Sequence, residues 1–370
     1  MKKNERGFFG KLIIVLLTLW AWIGVIAMGC CVLSSYIDPV HFVWLSFFGL
    51  SFWPIFIYNV ILLVLLLLMW SKSSWVAVLA IAIGVIGVIK SFSMGKSQEG
   101  AELRVMSYNV QNFHHLYDKK KSASEVAYDI AKFVQEKQPD VLCLQEFTPF
   151  LPNASRKNCI IHYGVMMGLP YYYYHDKTNF AGNVIFSKYP VKAVDDPTPF
   201  GEENMYGAVA QIDAGEKGKF NVVCCHLTSN QLTNDEIAVI SNPSNNKEEV
   251  QEYGKSILSK LKSAYEKRSY EVCKMLADMP TDGRPIILCG DMNDTPISYT
   301  YQQLKRAGFV DGFVVAGRGI GHTYAGKLPL LRIDYIWGND KIQPMGFQRI
   351  RFKGSDHYPV IMDFKIGNGF

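Results

Sequence analysis

The sequence has little net charge outside its N-terminal quarter, and this limits the partners that the chain can have. Of 38 basic and 33 acidic side chains in 370 residues, six basic and two acidic ones lie in residues 1–93. The remainder is almost neutral, with 32 basic and 31 acidic side chains. Duplex nucleic acid is normally bound by a strongly basic surface, so this balance argues against a general DNA-binding protein, although a local basic patch is compatible with it.

Cysteine is also scarce. Eight cysteines are too few and too scattered for a disulfide scaffold in a chain of this length. No CxxC pair and no His/Cys cluster at zinc spacing occurs. Six of the cysteines lie in apolar or β-like runs, where a free thiol behaves as a small buried hydrophobe, so we expect structural thiols. These six are Cys30, Cys31, Cys143, Cys224, Cys225 and Cys289.

Uncharged apolar sequence, in contrast, is abundant before residue 94. Residues 12–33 and 42–70 are free of charge and long enough to cross a bilayer. A third stretch, 75–92, is shorter and contains one charged residue, Lys90. We expect a transmembrane block of three helices at residues 1–93, a linker at 94–101 and a globular domain at 102–370. A signal peptide explains the first stretch less well, because two further apolar stretches follow and no cleavage site stands out.

The basic residues near these stretches predict an orientation, since positive loops favour the cytoplasmic side. Four of them, Lys2, Lys3, Arg6 and Lys11, crowd the N-terminus. Asp38 is the only fixed charge of the first connection, and Lys72 lies in the second. We expect an integral protein of a bacterial inner membrane with a cytoplasmic N-terminus and an extracytoplasmic globular domain. If the third stretch does not span, the globular domain lies in the cytoplasm.

After residue 102, short β-branched or apolar runs alternate with stretches of helical periodicity. Strands are expected at residues 104–108, 141–145, 183–187, 208–212, 220–225, 286–289, 333–337 and 360–364, and helices at 124–136 and 249–278. The polar insert 230–249 is expected to be a long loop, and Arg268 on the second helix a surface charge. The pattern predicts an α/β domain rich in strands.

Polar side chains end or directly follow four of these runs, and one more lies within a fifth. They are Asn109, Gln145, Glu146, His226, Asp291, Asn293 and Asp334. One such residue is usually only a turn former. Several together predict a site at one edge of a sheet, where α/β proteins commonly bind ligands.

Eight segments, read together, resemble the endonuclease/exonuclease/phosphatase superfamily, which includes pancreatic deoxyribonuclease, abasic-site endonucleases, neutral sphingomyelinases and inositol-phosphate phosphatases. They are SYNVQNF (107–113), LCLQEF (142–147), FAGNVIFSKYP (180–190), VVCCHLTSN (222–230), ILCGDMNDTP (287–296), HTYAG (322–326), LRIDYIW (331–337) and GSDHYPV (354–360). The resemblance spans about residues 102–366 in the family's order. It implies an α/β fold in which two mixed sheets form a deoxyribonuclease-I-like β-sandwich flanked by helices.

The resemblance also implies a metal site. Glu146 would be the principal ligand of Mg²⁺ or Mn²⁺, with Asn109 beside it, and Asp356 would be a further ligand or would orient water. The chemistry agrees, because hard cations prefer oxygen ligands.

The remaining motif residues take catalytic roles by the same resemblance. Asp291 would orient or deprotonate the attacking water, and Asn293 would bind a phosphate oxygen. His357 would donate to the phosphoryl group while Asp334 fixes its tautomer. His226 stands where the family often has His or Tyr, although a single His after a strand is often only structural.

Together these patterns predict a membrane-anchored, metal-dependent hydrolase of phosphodiesters or phosphomonoesters. Its expected partners are the lipid bilayer and a phosphate ester, either a lipid head group or a small molecule. An extracytoplasmic nuclease with the same site is the alternative. A non-catalytic membrane scaffold or sensor is a second alternative, against which the intact set of motif residues argues.

Overall fold

The computed structural model of the protein describes residues 7–114, 121–148, 151, 153–174, 182–194, 207–241, 247–328 and 330–367. Lys2, Lys3 and Arg6, and the first two residues of the 180–190 motif, lie outside these residues. The chain forms two units. One comprises residues up to 90 together with 295–302, and the other comprises residues 91–294 together with 303–370.

The first unit is built from apolar helices: α1 (Phe8–Leu33), α2 (Pro39–Phe42), α3 (Trp44–Leu50), α4 (Phe52–Leu68) and α5 (Ser74–Ser91). Helices α1 and α5 are each long and apolar enough to cross a membrane. Helices α3 and α4 meet this standard only as a pair, and they are bent by 66° at a short break. The expected stretch 42–70 is therefore not one straight helix, and three spans result only if the bent pair counts as one.

Close packing within this unit depends on small residues. A Cβ at Gly24 would lie 2.0 Å from Asn59 Oδ1, so α1 and α4 approach each other where glycine leaves room. Asn59 is fully buried and donates to the Ile55 carbonyl at 2.8 Å. Elsewhere α1 leaves large apolar side chains exposed, such as Phe9 and Ile26. Apolar surface of this extent is unfavourable in water and suggests a membrane anchor.

The second unit contains two six-stranded mixed sheets. The first sheet consists of β2 (Leu103–Asn109), β3 (Val141–Phe147), β4 (Tyr171–Tyr174), β5 (Gly182–Ser187), β13 (Ile342–Arg349) and β14 (Val360–Ile366), in the order β13-β14-β2-β3-β5-β4. The second consists of β6 (Val191–Ala193), β7 (Gly207–Asp213), β8 (Lys219–His226), β9 (Ile286–Asp291), β10 (Val310–Asp311) and β12 (Asp334–Gly338), in the order β10-β12-β9-β8-β7-β6. Among the described residues, β2 with β3 and β8 with β9 pair in parallel, and the other strand pairs are antiparallel.

Further short strands and helices occur along the chain before and between these strands, and the helix that begins at Tyr299 starts in the first unit and ends in the second. A small antiparallel pair joins β1 (Phe92–Met94) to β11 (Arg318–Ile320). The helices are α6 (Ala123–Lys137), α7 (Arg156–Met166), α8 (Asn234–Ser241), α9 (Lys247–Ala277), α10 (Tyr299–Arg306) and α11 (Gly312–Ala316), with 3-10 turns at Gln111–Phe113 and Gly215–Lys217. A capping box starts α6, because Glu125 N donates to Ser122 Oγ at 3.3 Å and Ser122 N donates to Glu125 Oε2 at 2.8 Å.

Alternation along the strands separates two apolar layers. Val105 and Cys143 face the core between the sheets, whereas Met106 and Leu142 pack against the outer helices α6 and α7. None of the eight cysteines forms a disulfide, and five of the six expected structural thiols are buried; the sixth, Cys30, is partly buried, and Cys159 is buried in addition.

The predicted fold class is confirmed, and all eight predicted strands are strands. The interpretation of residues 230–249 was wrong, and one long strand was missed. The insert 230–249 is not all loop, because α8 lies within it. Strand β13 was not predicted, since Pro344 and Gly346 interrupt its pattern; both lie at a bulge of this edge strand, where a missing donor and a missing side chain are tolerated.

Candidate active site

Strand register in the second sheet brings three of the predicted site residues level with one another. His226 at the end of β8 pairs with Asp291 at the end of β9, and Asp291 pairs with Asp334 at the start of β12. Gly290 makes this possible, because at its φ of +144° a Cβ would lie 1.8 Å from the Cys225 carbonyl oxygen. Only glycine allows the two backbones to approach so closely.

The first sheet supplies Asn109 and Glu146. The register of β3 shifts between Leu144 and Phe147, and Glu146 within this bulge has a φ of +52°. Asn109 Nδ2 donates to Glu146 Oε1 and to Asp291 Oδ2, both at 3.0 Å. Asn109 therefore links the two sheets at the site.

The turn after Asn109 contributes two residues that the sequence analysis did not single out. Gln111 and Asn112 have φ values of 45° and 52°, a conformation that costs on the order of 1–3 kcal/mol per residue. Gln111 Nε2 donates to Asp356 Oδ2 at 3.0 Å, and Asn112 Nδ2 donates to Glu146 Oε2 at 3.1 Å. Thr148 Oγ1 in turn donates to Asn112 Oδ1 at 2.6 Å. The strained turn thus holds both predicted metal-ligand carboxylates.

His357 and Asp334 form a buried pair. His357 Nδ1 lies 2.9 Å from Asp334 Oδ2, and Nε2 lies 3.6 Å from Asp291 Oδ2. Thr323 Oγ1 fixes the start of β12 by accepting from the backbone N–H of Asp334 at 3.0 Å. Burial alone would lower the pKa of His357, but the Asp334, Asp291 and Asp356 carboxylates raise it well above its usual value. The carboxylates therefore favour the protonated ring, and because Nδ1 is engaged with Asp334, Nε2 is the ring nitrogen on the side of Asp291.

Buried negative charge accumulates around this pair. Burial, with a further contribution from Asp334, raises the pKa of Asp291. Burial, followed by the charges of Glu146 and Asp291, raises the pKa of Asp356. Carboxylates that repel one another in a buried site are the environment in which a divalent cation is most strongly stabilised. The donor set fits Mg²⁺ or Mn²⁺, because it consists mainly of oxygen atoms.

One geometric grouping of metal-ligand atoms differs from the predicted ligands. Oxygens of Asp291 and Asp334 and a nitrogen of His357 lie within 4.8 Å of one another. However, Asp334 and His357 are engaged with each other through Nδ1. Glu146 and Asp356 keep carboxylate oxygens toward the same site, and they are the better ligands for a hard cation.

His226 and Asn293 complete the site. His226 Nε2 is buried 3.6 Å from Glu146 Oε1 and 3.8 Å from Asp291 Oδ2, and it has no hydrogen-bond partner among the described residues. Asn293 has a φ of +50°; its backbone N–H donates to Asp291 Oδ1 at 2.8 Å, and its Nδ2 donates to the Leu227 carbonyl at 3.0 Å. Both side chains keep a polar hydrogen-bonding group for a ligand.

The loop after His226 is anchored by α9. Thr228 N donates to Glu271 Oε2 at 2.8 Å, and Arg268 Nη1 donates to the Thr228 carbonyl and to Asn230 Oδ1, both at 2.9 Å. Arg268 is 1% exposed, so its interpretation as a surface charge was wrong. Its side chain fixes the loop that follows the site.

The comparisons agree with this fold and motif set. A model of the endonuclease/exonuclease/phosphatase family matches residues 106–357, and the chain belongs to this family. A second family model, for a domain of unknown function (DUF8431), matches residues 11–92. A search of curated proteins found no match.

Solved structures with a similar fold come from several organisms. An endonuclease/exonuclease/phosphatase from Beutenbergia cavernae DSM 12333 is 16% identical, with 73% of each chain covered and a TM-score of 0.51. The human nocturnin catalytic domain with bound sulfate is 17% identical, covering 71% of this chain and 94% of that one, with a TM-score of 0.46. A mannosyl-6-phosphatase from Bacteroides thetaiotaomicron VPI-5482 is 15% identical, covering 71% and 99%, with a TM-score of 0.43. The first of these supports the fold.

Proposed function

We propose that the protein is a membrane-anchored, divalent-cation-dependent hydrolase of phosphate esters, acting on lipid head groups or small molecules. The observation that carries this proposal is the meeting of carboxylates from both sheets with the buried His357–Asp334 pair, joined at 2.9 Å. A buried cluster of this kind is costly to fold and is useful for binding a cation and an anionic ester together.

Glu146 and Asp356, with Asn109 beside them, would hold the cation. When bound, the cation supplies positive charge to the phosphoryl oxygens and makes water more acidic. Gln111 and Asn112 position the two carboxylates through the hydrogen bonds at 3.0 and 3.1 Å.

The other side chains of the site would transfer protons and orient the phosphate group. Asp291, whose carboxylate burial makes more basic, accepts the proton of the attacking water. His357 Nε2–H donates to a phosphoryl oxygen, and Asp334 keeps its ring charged and oriented. Asn293 donates its second amide hydrogen to the phosphate, and the unpartnered His226 Nε2 lies where it can contact a phosphoryl oxygen or the leaving group.

The apolar helices and the charge balance support the choice of substrate. Helices α1 and α5 would place the catalytic domain at a membrane face. The domain beyond residue 93 carries almost no net charge, which is unfavourable for long polyanions. Lipid head groups and small esters are therefore favoured over DNA.

A substrate panel tests this proposal. The full chain in detergent micelles is offered p-nitrophenyl phosphate, bis(p-nitrophenyl) phosphate, sphingomyelin, phosphatidylinositol and plasmid DNA, each with Mg²⁺, Mn²⁺ or a chelator. We expect cation-dependent release from a small ester or a lipid, lost in Glu146→Gln and kept in the exposed control Glu216→Gln. Cleavage of DNA alone would refute the substrate class. Equal activity in Glu146→Gln would refute the site.

We further infer an extracytoplasmic location for the domain. Three crossings follow if the bent pair α3 and α4 spans once between α1 and α5, and three crossings place the two ends of the chain on opposite sides. The basic N-terminus favours the cytoplasm. Compartment reporters fused to the C-terminus test this, and a reporter active only in the cytoplasm would contradict it.

A further inference from the structure

Three basic residues next to the candidate active site take no part in the proposed chemistry. They are His322, Arg349 and Arg351. We call them the cationic cluster. His322 is two residues before Tyr324, whose backbone pairs with His357 in an antiparallel bridge. Arg349 pairs with Val360, which faces the core between the two sheets. Because paired residues share one face of a sheet, Arg349 is directed toward the space between the sheets, at the end that carries His357.

The contacts of Arg349 fix the tautomer of His322. Arg349 Nη1 lies 2.9 Å from His322 Nε2, and its guanidinium stacks on the Tyr358 ring at 5.2 Å. A guanidinium can only donate, so Nε2 accepts and the neutral imidazole carries its proton on Nδ1. His322 Nδ1 is buried and has no partner among the described residues. The Nδ1–H group of His322 is therefore a buried donor without an acceptor among the described residues.

The cationic cluster also lacks a counter-charge. No carboxylate of the described residues forms an ion pair within 4.0 Å of any of its three members. Two other arginines of this domain are paired with carboxylates, Arg104 with Asp363 at 2.7 Å and Arg332 with Asp311 at 2.7 Å.

The electrostatic consequence is visible in the cluster itself. Burial, with the charges of Arg349 and Arg351, lowers the pKa of His322. Burial and the charge of Arg351 likewise lower the pKa of Arg349. Positive charges held together without an anion are unfavourable, and an anionic ligand would relieve the repulsion.

We propose that the cationic cluster binds a second phosphate group of the substrate, so that the preferred substrates carry two phosphate groups. Two guanidinium groups and one imidazole N–H match the three oxygens of a phosphate better than the two of a carboxylate. The position fits one molecule that bridges both sites, because His322 is two residues before Tyr324, which pairs with His357 and whose ring lies 5.6 Å from the His357 ring. This inference rests on the proposed function, since the first phosphate is the one that the active site cleaves.

Binding of matched ligands tests the inference without requiring turnover. Linear diols of increasing length, carrying either one phosphate or two, are titrated calorimetrically into the full chain in detergent with Mg²⁺. We expect the bisphosphate of matching length to bind about tenfold or more tightly than its monophosphate. Arg349→Gln and the exposed Arg351→Gln should each lower this ratio toward one, whereas Arg349→Lys should keep part of it. The exposed Arg318→Gln, on β11, is the matched control and should leave the ratio unchanged.

The outcomes separate this inference from the proposed function. A ratio near one at every length in the wild type, or an unchanged ratio in both Arg349→Gln and Arg351→Gln, would overturn the second-phosphate site. If Arg349→Gln does not fold, Arg351→Gln decides alone, because its side chain is exposed. Arginine-dependent binding without hydrolysis of any ester would keep the second-phosphate site and reject the proposed function. Hydrolysis that depends on Glu146, together with equal binding of the monophosphate and the bisphosphate, would keep the proposed function and reject the second-phosphate site.

Discussion

Replacing Asp334 by Asn removes the negative charge beside His357 while keeping the size of the side chain. Asp334 and His357 are 2% and 6% exposed, and Nδ1 lies 2.9 and 3.1 Å from the two carboxylate oxygens. Asn keeps one oxygen acceptor but loses the charge. We expect the free energy of unfolding to fall by about 1.5–3 kcal/mol, the usual contribution of a hydrogen bond to a charged group.

The same substitution should change the pH dependence of catalysis. Burial lowers the pKa of His357 and the nearby carboxylates raise it well above its ordinary value of 6.5. Without Asp334 this pKa falls, so the protonated ring is lost at a lower pH and the alkaline limb of kcat/KM moves toward neutrality. A raised pKa of His357 in the folded state stabilises the fold most at pH values below the pKa of the unfolded state. The stability lost on Asp334→Asn should therefore be largest in acid. A positioned proton donor contributes roughly 10²–10⁴ to the rate, and we expect kcat to fall within that range.

The assay compares kcat/KM from pH 5 to about 10 for the wild type, Asp334→Asn and Asp363→Asn. Asp363 is the matched control, because it also lies in a strand and is paired, with Arg104 at 2.7 Å, but is distant from the chemistry proposed here. The control should keep the wild-type profile. A wild-type rate and an unshifted alkaline limb in Asp334→Asn would refute the role assigned to the pair.

Three further predictions follow from the geometry of the site. Gly290→Ala would place a Cβ 1.8 Å from the Cys225 carbonyl oxygen, so its free energy of unfolding, measured in urea, should fall by about 3 kcal/mol or more. The control Gly215→Ala, whose Cβ would have nothing within 4 Å, should lose only about 1–2 kcal/mol because of its positive φ. Equal losses in the two variants would contradict the close approach of the strands. Burial raises the pKa values of Asp291 and Asp356, so in chelator the stability present in acid should be lost as the pH rises through those raised values. Added Mg²⁺ should restore this stability near neutrality. Thermal unfolding measured against pH tests this, and the absence of any effect of Mg²⁺ would count against the cation site. Finally, chelation should stop hydrolysis and added Mg²⁺ or Mn²⁺ should restore it, as followed by release of product from the best ester of the panel.

Much of the site could be predicted from sequence because its parts are local. Asp291 and Asn293 follow one buried strand, and His226 ends its neighbour, so the period of the strands was sufficient to place them at one edge. The family resemblance added Asp356 and His357, which lie in a loop with no periodicity. Their roles remain predictions until the variants are measured.

Other parts could not be predicted because they depend on tertiary contacts. Gln111 and Asn112 look like ordinary turn residues, and only the folded chain shows that they hold the carboxylates of Asp356 and Glu146. Arg268 looks like one more charge on a polar helix, yet it is buried against the loop after His226. Long-range hydrogen bonds of this kind leave no signal in local composition.

Parallel titrations of Mg²⁺ binding and of hydrolysis test the central claim most directly. The full chain and its Glu146→Gln variant are titrated with Mg²⁺ by calorimetry, and the initial rate of ester hydrolysis is measured at the same concentrations. We predict that binding and rate saturate together in the wild type and that both are lost in Glu146→Gln. Hydrolysis that persists in chelator, or that is unchanged in Glu146→Gln, would contradict a metal-dependent phosphoesterase at this site.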